Sequence, residues 1–154
     1  MKNICSASAA PTIEEIYNQW HDFARTGNVD ALLSLYATDA VFESPLVPAI
    51  LDCNSGLLQG HSEIRRFFEE GTKRRPNDLV RWYRNGKYFT DGHSLVWEYP
   101  RQTPDGEQVD IFEVMEINAG KIQKHRIYWG WFGYKLLLGT AVAKATSTVG
   151  QSSG

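Results

Sequence analysis

Apolar residues along this chain keep two different rhythms. In the first half they recur every three or four positions, the spacing of a helix face. Ile13, Ile16, Tyr17, Trp20, Phe23 and Ala24 mark one such stripe in PTIEEIYNQWHDFARTG. Thr12 is placed to cap it, Glu15 three residues on completes a capping box, and Gly27 is placed to end it. NVDALLSLYA predicts a second, shorter helix with Val29, Leu32, Leu33 and Tyr36 as its stripe. DAVFESP predicts a short strand stopped by Pro45. Residues 46–59, with Pro48, Asn54 and Gly56, read as a loop, and HSEIRRFFEEGTKRR as a third helix that closes before Pro76.

From residue 79 the rhythm changes to two, the period of a strand. LVRWYRNGKYF, SLVWEYP, EQVDIFEVMEI and KIQKHRIYWGWFGY predict strands. TDGH, TPDGE and NAGK, each with a glycine, predict the turns between them. After Leu138 the chain becomes small and polar. The pattern predicts a flexible segment over 1–11, one α+β domain over 12–138 with three helices against an antiparallel sheet, and a flexible tail over 139–154.

Alternation also sorts the chemistry. In 107–117 the odd positions are Glu107, Val109, Ile111, Glu113, Met115 and Ile117, so this face is the apolar one and Glu113 sits in its middle. In the last strand His125 shares its parity with Ile127, Trp129 and Trp131. Two neighbouring strands thus each place one titratable group on an apolar face, joined through the tight turn at NAG. An apolar wall with a few convergent polar groups is the make-up of a small-molecule pocket. A Glu–His pair there is able to move a proton near neutral pH.

Composition narrows the classes. The 154 residues make one domain, with ordinary soluble values of 42% hydrophobic and 22% charged. A net charge of −2 leaves no footprint for nucleic acid and no basic run for a membrane surface. Aromatics reach 12%, with five Trp, which is rich for this length and suits walls and pockets. The cysteines are Cys5 and Cys53, too few for a disulfide framework, and together with the lack of a secretory signal they predict a cytoplasmic setting. The four histidines share no metal spacing, so no metal is expected. His21 reads as solvated, His61 as a helix-start residue and His93 as part of a turn. Alternation puts Asp110 and Arg126 away from the apolar face.

Three stretches carry a family likeness: ARTGNVDALLSLYATDAVFESPL, LQGHSEIRRFFEEG and VDIFEVMEINAGKIQKHRIYWGW. Their order and spacing over residues 12–134 resemble the nuclear-transport-factor-two-like superfamily, and within it the ketosteroid isomerases and SnoaL-like polyketide cyclases. The resemblance implies a cone, a curved antiparallel (mixed) sheet closed by helices around a deep apolar cavity. It places the isomerase base position at Ser44, the first-helix tyrosine position at Trp20, a supporting tyrosine position at Phe68 and the second carboxylic acid at Glu113. It also turns Glu98 inward, whereas alternation turns Glu98 outward and Leu95, Trp97 and Tyr99 inward. HRIYW matches the histidine segment of the cyclases at His125, with Ile127 where an acid is frequent.

The expected function is therefore a cofactor-free enzyme that shifts protons on a hydrophobic small molecule: an isomerase, cyclase or dehydratase. His125 is its expected acid or base, with Glu113 as partner and Glu98 as a third candidate. Trp20, Phe42, Ser44, Phe67, Trp97, Met115, Ile127, Trp129 and Trp131 are the expected substrate contacts. The alternatives are a non-catalytic small-molecule binding protein and a protein-interaction adaptor. Aromatics on both faces of segments such as VRWYRNGKYF predict a homodimer through the outer face of the sheet.

Overall fold

The computed structural model describes residues 10–74, 87–99, 102–103, 106–107, 110–131, 133–135 and 137–139. The strand expected over 79–89 and the two flexible ends lie almost entirely outside these residues.

Helix α1 spans Ile13–Thr26. Its capping box is closed in both directions: Glu15 N–H donates to Thr12 Oγ1 at 3.2 Å, and Thr12 N–H donates to Glu15 Oε2 at 2.7 Å. Gly27 ends the helix in the left-handed region, with φ at 68°. Helix α2, Val29–Ser34, stops one residue before Leu35, whose carbonyl accepts from the Ile122 amide at 2.9 Å. That bond hands the chain to the sheet. Strand β1 therefore runs Tyr36–Glu43, and Tyr36 opens a strand where the i, i+3, i+4, i+7 spacing predicts a helix stripe.

The segment read as a loop holds two elements, α3 (Leu46–Leu51) and β2 (Leu57–Gln59). Ser44 starts α3 by accepting from the amides of Leu46 and Val47, through Oγ and its carbonyl respectively. Strand β2 is short, but it is pinned antiparallel to β1 by the pairs Val41–Gln59 and Glu43–Leu57. Helix α4 follows at Gly60–Arg74, so this half holds four helices rather than three.

The remaining strands are β3 (Phe89–Thr90), β4 (Ser94–Glu98), β5 (Gln102–Thr103), β6 (Gly106–Glu107), β7 (Ile111–Asn118) and β8 (Lys121–Trp129). Strands β5 and β6 pair with each other, and the six-stranded sheet has the order β2-β1-β8-β7-β4-β3. β1 lies parallel to β8 while its other neighbours are antiparallel, so the α+β fold carries a mixed sheet. One face of that sheet is the core: Leu95, Trp97, Met115 and Phe42 pack with Ile16 and Trp20 of α1 and Ile64, Phe67 and Phe68 of α4. No helix among the described residues is long and apolar enough to cross a membrane.

Two local features of β8 decide what faces that core. Its turn from β7 uses Ala119 and Gly120, both with positive φ (49° and 73°), the twist that suits a two-residue hairpin. Ile117 then pairs with Ile122 but Glu116 with Lys124, which leaves Gln123 as an extra residue on β8. This bulge inverts the parity of everything after it. The far end also differs from expectation. β8 stops at Trp129 instead of running on through Tyr134, because Asp110 turns the chain. Its carbonyl accepts from Gly130 N–H at 2.8 Å, its carboxylate accepts from Gly133 N–H at 3.2 Å, and Tyr134 N–H closes a helical turn onto Gly130.

The hairpin turn gives a stability test. A Cβ on Gly120 would sit 2.7 Å from Pro11 Cδ and demand a left-handed backbone. Gly120→Ala should lower the unfolding free energy in urea by more than about 1 kcal/mol, whereas Ala119→Gly, which relieves a positive φ, should be neutral or stabilising.

Candidate active site

After the bulge, Met115 stands opposite His125 and Glu113 opposite Ile127, so the Glu113 and His125 side chains reach each other diagonally on the inner face. His125 Nε2 lies 2.7 Å from Glu113 Oε2. On its other side, His125 Nδ1 lies 2.7 Å from the hydroxyl of Tyr36, the first residue of β1. That hydroxyl accepts from Trp20 Nε1–H of α1 at 2.9 Å. Four side chains from α1, β1, β8 and β7 thus form one continuous buried chain of hydrogen bonds.

Burial makes the chain consequential. Tyr36 and Trp20 are almost fully buried, and so are His125 and Glu113. Phe42, Trp20 and Trp97 close on the imidazole with ring centroids at 5.1, 5.5 and 6.5 Å, the first two edge-on. The rings expected to wall a pocket here pack as a cage around one histidine. Phe67 supports Phe42 at 4.9 Å, and Met115 is wholly buried across the strand pair. The exposure within the pair is uneven. The His125 side chain is closed off at 0%, while that of Glu113 keeps 4%. Glu113 Oε2 is committed to His125, and Oε1 has no hydrogen bond among the described residues. The carboxylate is therefore the member of the pair that touches open space.

Ile127, opposite Glu113, lines a cavity of about 400 Å³. The cavity opens where β1 ends at Glu43 and leaves Ile127, Tyr128 and Trp129 of β8 without a strand partner on that side among the described residues. Ser44 and Pro45, Gly56, the outer-face Arg126, and Tyr134 and Leu137 complete its rim, and Glu113 is not among the described residues that line it. Three of the expected contacts, Ser44, Ile127 and Trp129, line it. Trp20, Phe42, Phe67, Trp97 and Met115 lie in the packed core instead.

Two expected site residues point elsewhere. Glu98 is exposed on the outer face, because Leu95 and Trp97 take the inner one, as alternation requires. Trp131 is 62% exposed, since the chain has left the strand for a helical turn by that position and strand parity no longer applies. His21 departs from its solvated reading. It is buried between α1 and the sheet, donates from Nδ1 to the Tyr17 carbonyl at 2.6 Å and packs on Trp97 at 4.9 Å. Asp110 is buried too, as the residue that turns the chain after β8, while Arg126 on the outer face pairs with Glu116 at 2.8 Å. His61, at the start of α4, donates from Nε2 to the backbone carbonyl of Tyr36 at 3.0 Å and so braces β1 from behind the site. The residue that sequence reasoning missed is Tyr36. Its available signal was the β-favouring run Tyr36, Thr38, Val41 and Phe42 following a helix of only six residues.

A family model described as a SnoaL-like domain matches residues 17–125. No curated protein sequence matches the chain. Solved structures do. A SnoaL-like protein of unknown function from Burkholderia thailandensis aligns with a TM-score of 0.59 at 20% identity, over 76% of this chain and 93% of its own. An NTF2-like protein of unknown function from Cytophaga hutchinsonii aligns with a TM-score of 0.54 at 15% identity, over 80% of this chain and 95% of its own. The epoxide hydrolase/cyclase-like enzyme SalBIII, which has a role in pyran ring formation in the polyether salinomycin, aligns with a TM-score of 0.52 at 21% identity, over 77% of this chain and 90% of its own. At these identities the likeness is one of fold.

Tyr36 supplies a pH test. Burial holds its phenol well above the ordinary tyrosine value; the Trp20 hydrogen bond opposes this, and the charge of Glu113 adds to it. The folded protein keeps that proton to a higher pH than the unfolded chain. Stability from this group is complete below the unfolded value, about pH 10, and drains as pH rises through the folded one. Urea unfolding should show wild-type protein losing stability more steeply above about pH 10 than Tyr36→Phe does. Near neutrality the variant should be weaker by about 1–3 kcal/mol, because Trp20 Nε1–H and His125 Nδ1 lose their partner.

Proposed function

This chain belongs to the SnoaL-like domain family, and we propose that within it the chain is an acid–base enzyme acting on a hydrophobic small molecule, of the isomerase, cyclase or dehydratase type. The observation that carries this reading is the Trp20–Tyr36–His125–Glu113 chain ending on a carboxylate whose cross-strand partner, Ile127, lines a cavity of about 400 Å³. Such a cavity holds a drug-sized ligand. In this reading the ligand lies against Ile127, Trp129 and Ser44, at the open end of a cone formed by the sheet and helices. Glu113 accepts a proton from one ligand atom through Oε1 and returns it to another, so the enzyme is unchanged after each turnover. His125 is the partner that orients the carboxylate and stabilises its charge, through a bond worth more in a dry interior than in water. No role falls to Glu98 or Trp131 in this scheme, since neither reaches the inner face.

A second reading, a non-catalytic binding protein for an apolar ligand, is favoured by the complete burial of His125. The two are separated without knowing the net reaction. Purified protein is incubated in D₂O with a panel of hydrophobic carbonyl compounds, and deuterium uptake at activated carbons is followed by NMR. The enzyme reading expects catalysed exchange on at least one compound. It also expects exchange to fall on the order of 10²–10⁴-fold in Glu113→Gln and His125→Gln, with binding of that compound retained. Compounds that bind with no exchange on any of them would leave the binding protein as the function.

We infer in addition that the chain pairs as a homodimer through the outer face of the sheet. Phe112 and Tyr128 stand side by side there, 40% and 52% exposed, and Phe89 is 75% exposed opposite Val96 on the same face. Light scattering at micromolar concentration should give twice the mass of 17.4 kDa. Phe112→Glu with Tyr128→Glu should give the monomer mass, and a monomeric wild type would overturn the inference.

A further inference from the structure

The direction of the hydrogen bonds in the buried chain follows from donor and acceptor chemistry. An indole Nε1–H only donates. It points at the Tyr36 oxygen at 2.9 Å, so that oxygen is already an acceptor. The Tyr36 proton must then find an acceptor of its own. Among the described residues the hydroxyl has one other neighbour, His125 Nδ1 at 2.7 Å. If Nδ1 carried a proton instead, two donors would aim at one phenol oxygen, and the phenol proton would be buried with no acceptor. A buried donor left in that state is costly. Nδ1 is therefore the bare nitrogen, and the ring proton sits on Nε2, 2.7 Å from Glu113 Oε2.

We propose that Trp20 is a positioning residue that fixes His125 as the neutral Nε2–H tautomer from the end of the chain remote from the ligand. The inference rests on the reading of Glu113 as the proton acceptor. Its value arises during turnover. While Glu113 is a carboxylate, it holds the Nε2 proton by itself. Once Glu113 has taken a proton from the ligand, nothing at that end dictates which ring nitrogen is protonated. The Trp20–Tyr36 end still does. The ring cannot take a second proton at Nδ1 without stranding the Tyr36 proton, so the transferred proton stays on the Glu113 carboxyl and returns to the ligand. Trp20 touches no cavity atom in this scheme. It acts through Tyr36, with its indole also packed edge-on against the imidazole at 5.5 Å.

The test replaces the carboxylate by a group that imposes no direction. Gln at position 113 offers either its carbonyl or its amide to Nε2, so the tautomer is left to Trp20 and Tyr36. Full-length protein with ¹⁵N-labelled histidine is examined by two-bond ¹H–¹⁵N correlation near neutral pH. In Glu113→Gln, His125 should remain a single species with a bare Nδ1 and a protonated Nε2. In Trp20→Phe/Glu113→Gln it should become a mixture of both tautomers. Tyr36→Phe/Glu113→Gln should do the same, which covers the case in which the Trp20 variant fails to fold. In Glu113 protein, Trp20→Phe should lower deuterium exchange of a bound carbonyl compound with little change in its affinity. A mixed tautomer in Glu113→Gln alone, or a single Nε2–H species in the folded double variants, would overturn the role of Trp20. Either result leaves the acid–base reading standing, and that reading fails separately if Glu113→Gln exchanges as fast as wild type.

Discussion

One extra residue in β8 governs the interior of this protein. A two-residue hairpin turn, continued without interruption, would set Glu113 opposite Arg126 and leave His125 on the outer face. The unpaired Gln123 shifts the register, so that Ile122 and His125 both face inward although their separation in sequence is odd. Gln123 itself donates to Asp39 at 3.0 Å, which ties the bulge to β1 on the exposed side. β1 is irregular at the same level, where its register against β8 shifts between Tyr36 and Val41. Both irregularities serve one end. They bring Tyr36 and His125, 89 positions apart in the chain, within hydrogen-bond distance.

A buried polar chain of this kind is stable only when every member is paired. Trp20, Tyr36 and His125 each spend their donors and acceptors on one another, and the aromatic cage excludes competing water. The same low-dielectric surroundings that make an unpaired group costly make each bond in the chain strong and directional. The arrangement has one outlet. Glu113 gives Oε2 to His125, keeps a sliver of exposure, and pairs across the strands with Ile127, one of the residues that line the cavity. A rigid, dry support behind a single carboxylate holds that group in fixed geometry.

The outer half of the sheet follows different physics. Glu116 pairs with both Lys124 and Arg126 at 3.2 and 2.8 Å, and these partly exposed ion pairs contribute little to stability. Phe112 and Tyr128 sit beside them with their rings 6.5 Å apart. The inner face is thus specified by burial and pairing, and the outer face by what it leaves uncovered.

Much of the architecture was legible in the chain. The Thr12–Glu15 box and Gly27 are local chemistry, so α1 was readable to the residue. The period-two pattern around Ile111, Glu113 and Met115 marked the inner face of β7, and the shared parity of His125, Ile127 and Trp129 marked that of β8. The SnoaL-like kinship was carried by motifs in order. What the chain could not disclose depends on partners distant in sequence. Tyr36 fits a helix stripe by spacing, and only the bond from Ile122 to Leu35 makes it the start of a strand. α3 and β2 are too short to hold their shape alone, and they exist because Ser44 and β1 hold them. The rings of KHRIYWGWFGY read as one wall, yet Asp110 ends β8 after Trp129 and turns Trp131 out to solvent. Local propensity sets which residues are apolar and how often they recur. Which of them meet, and which polar group among them finds a partner, is settled by strand register, and register is a property of two segments rather than one.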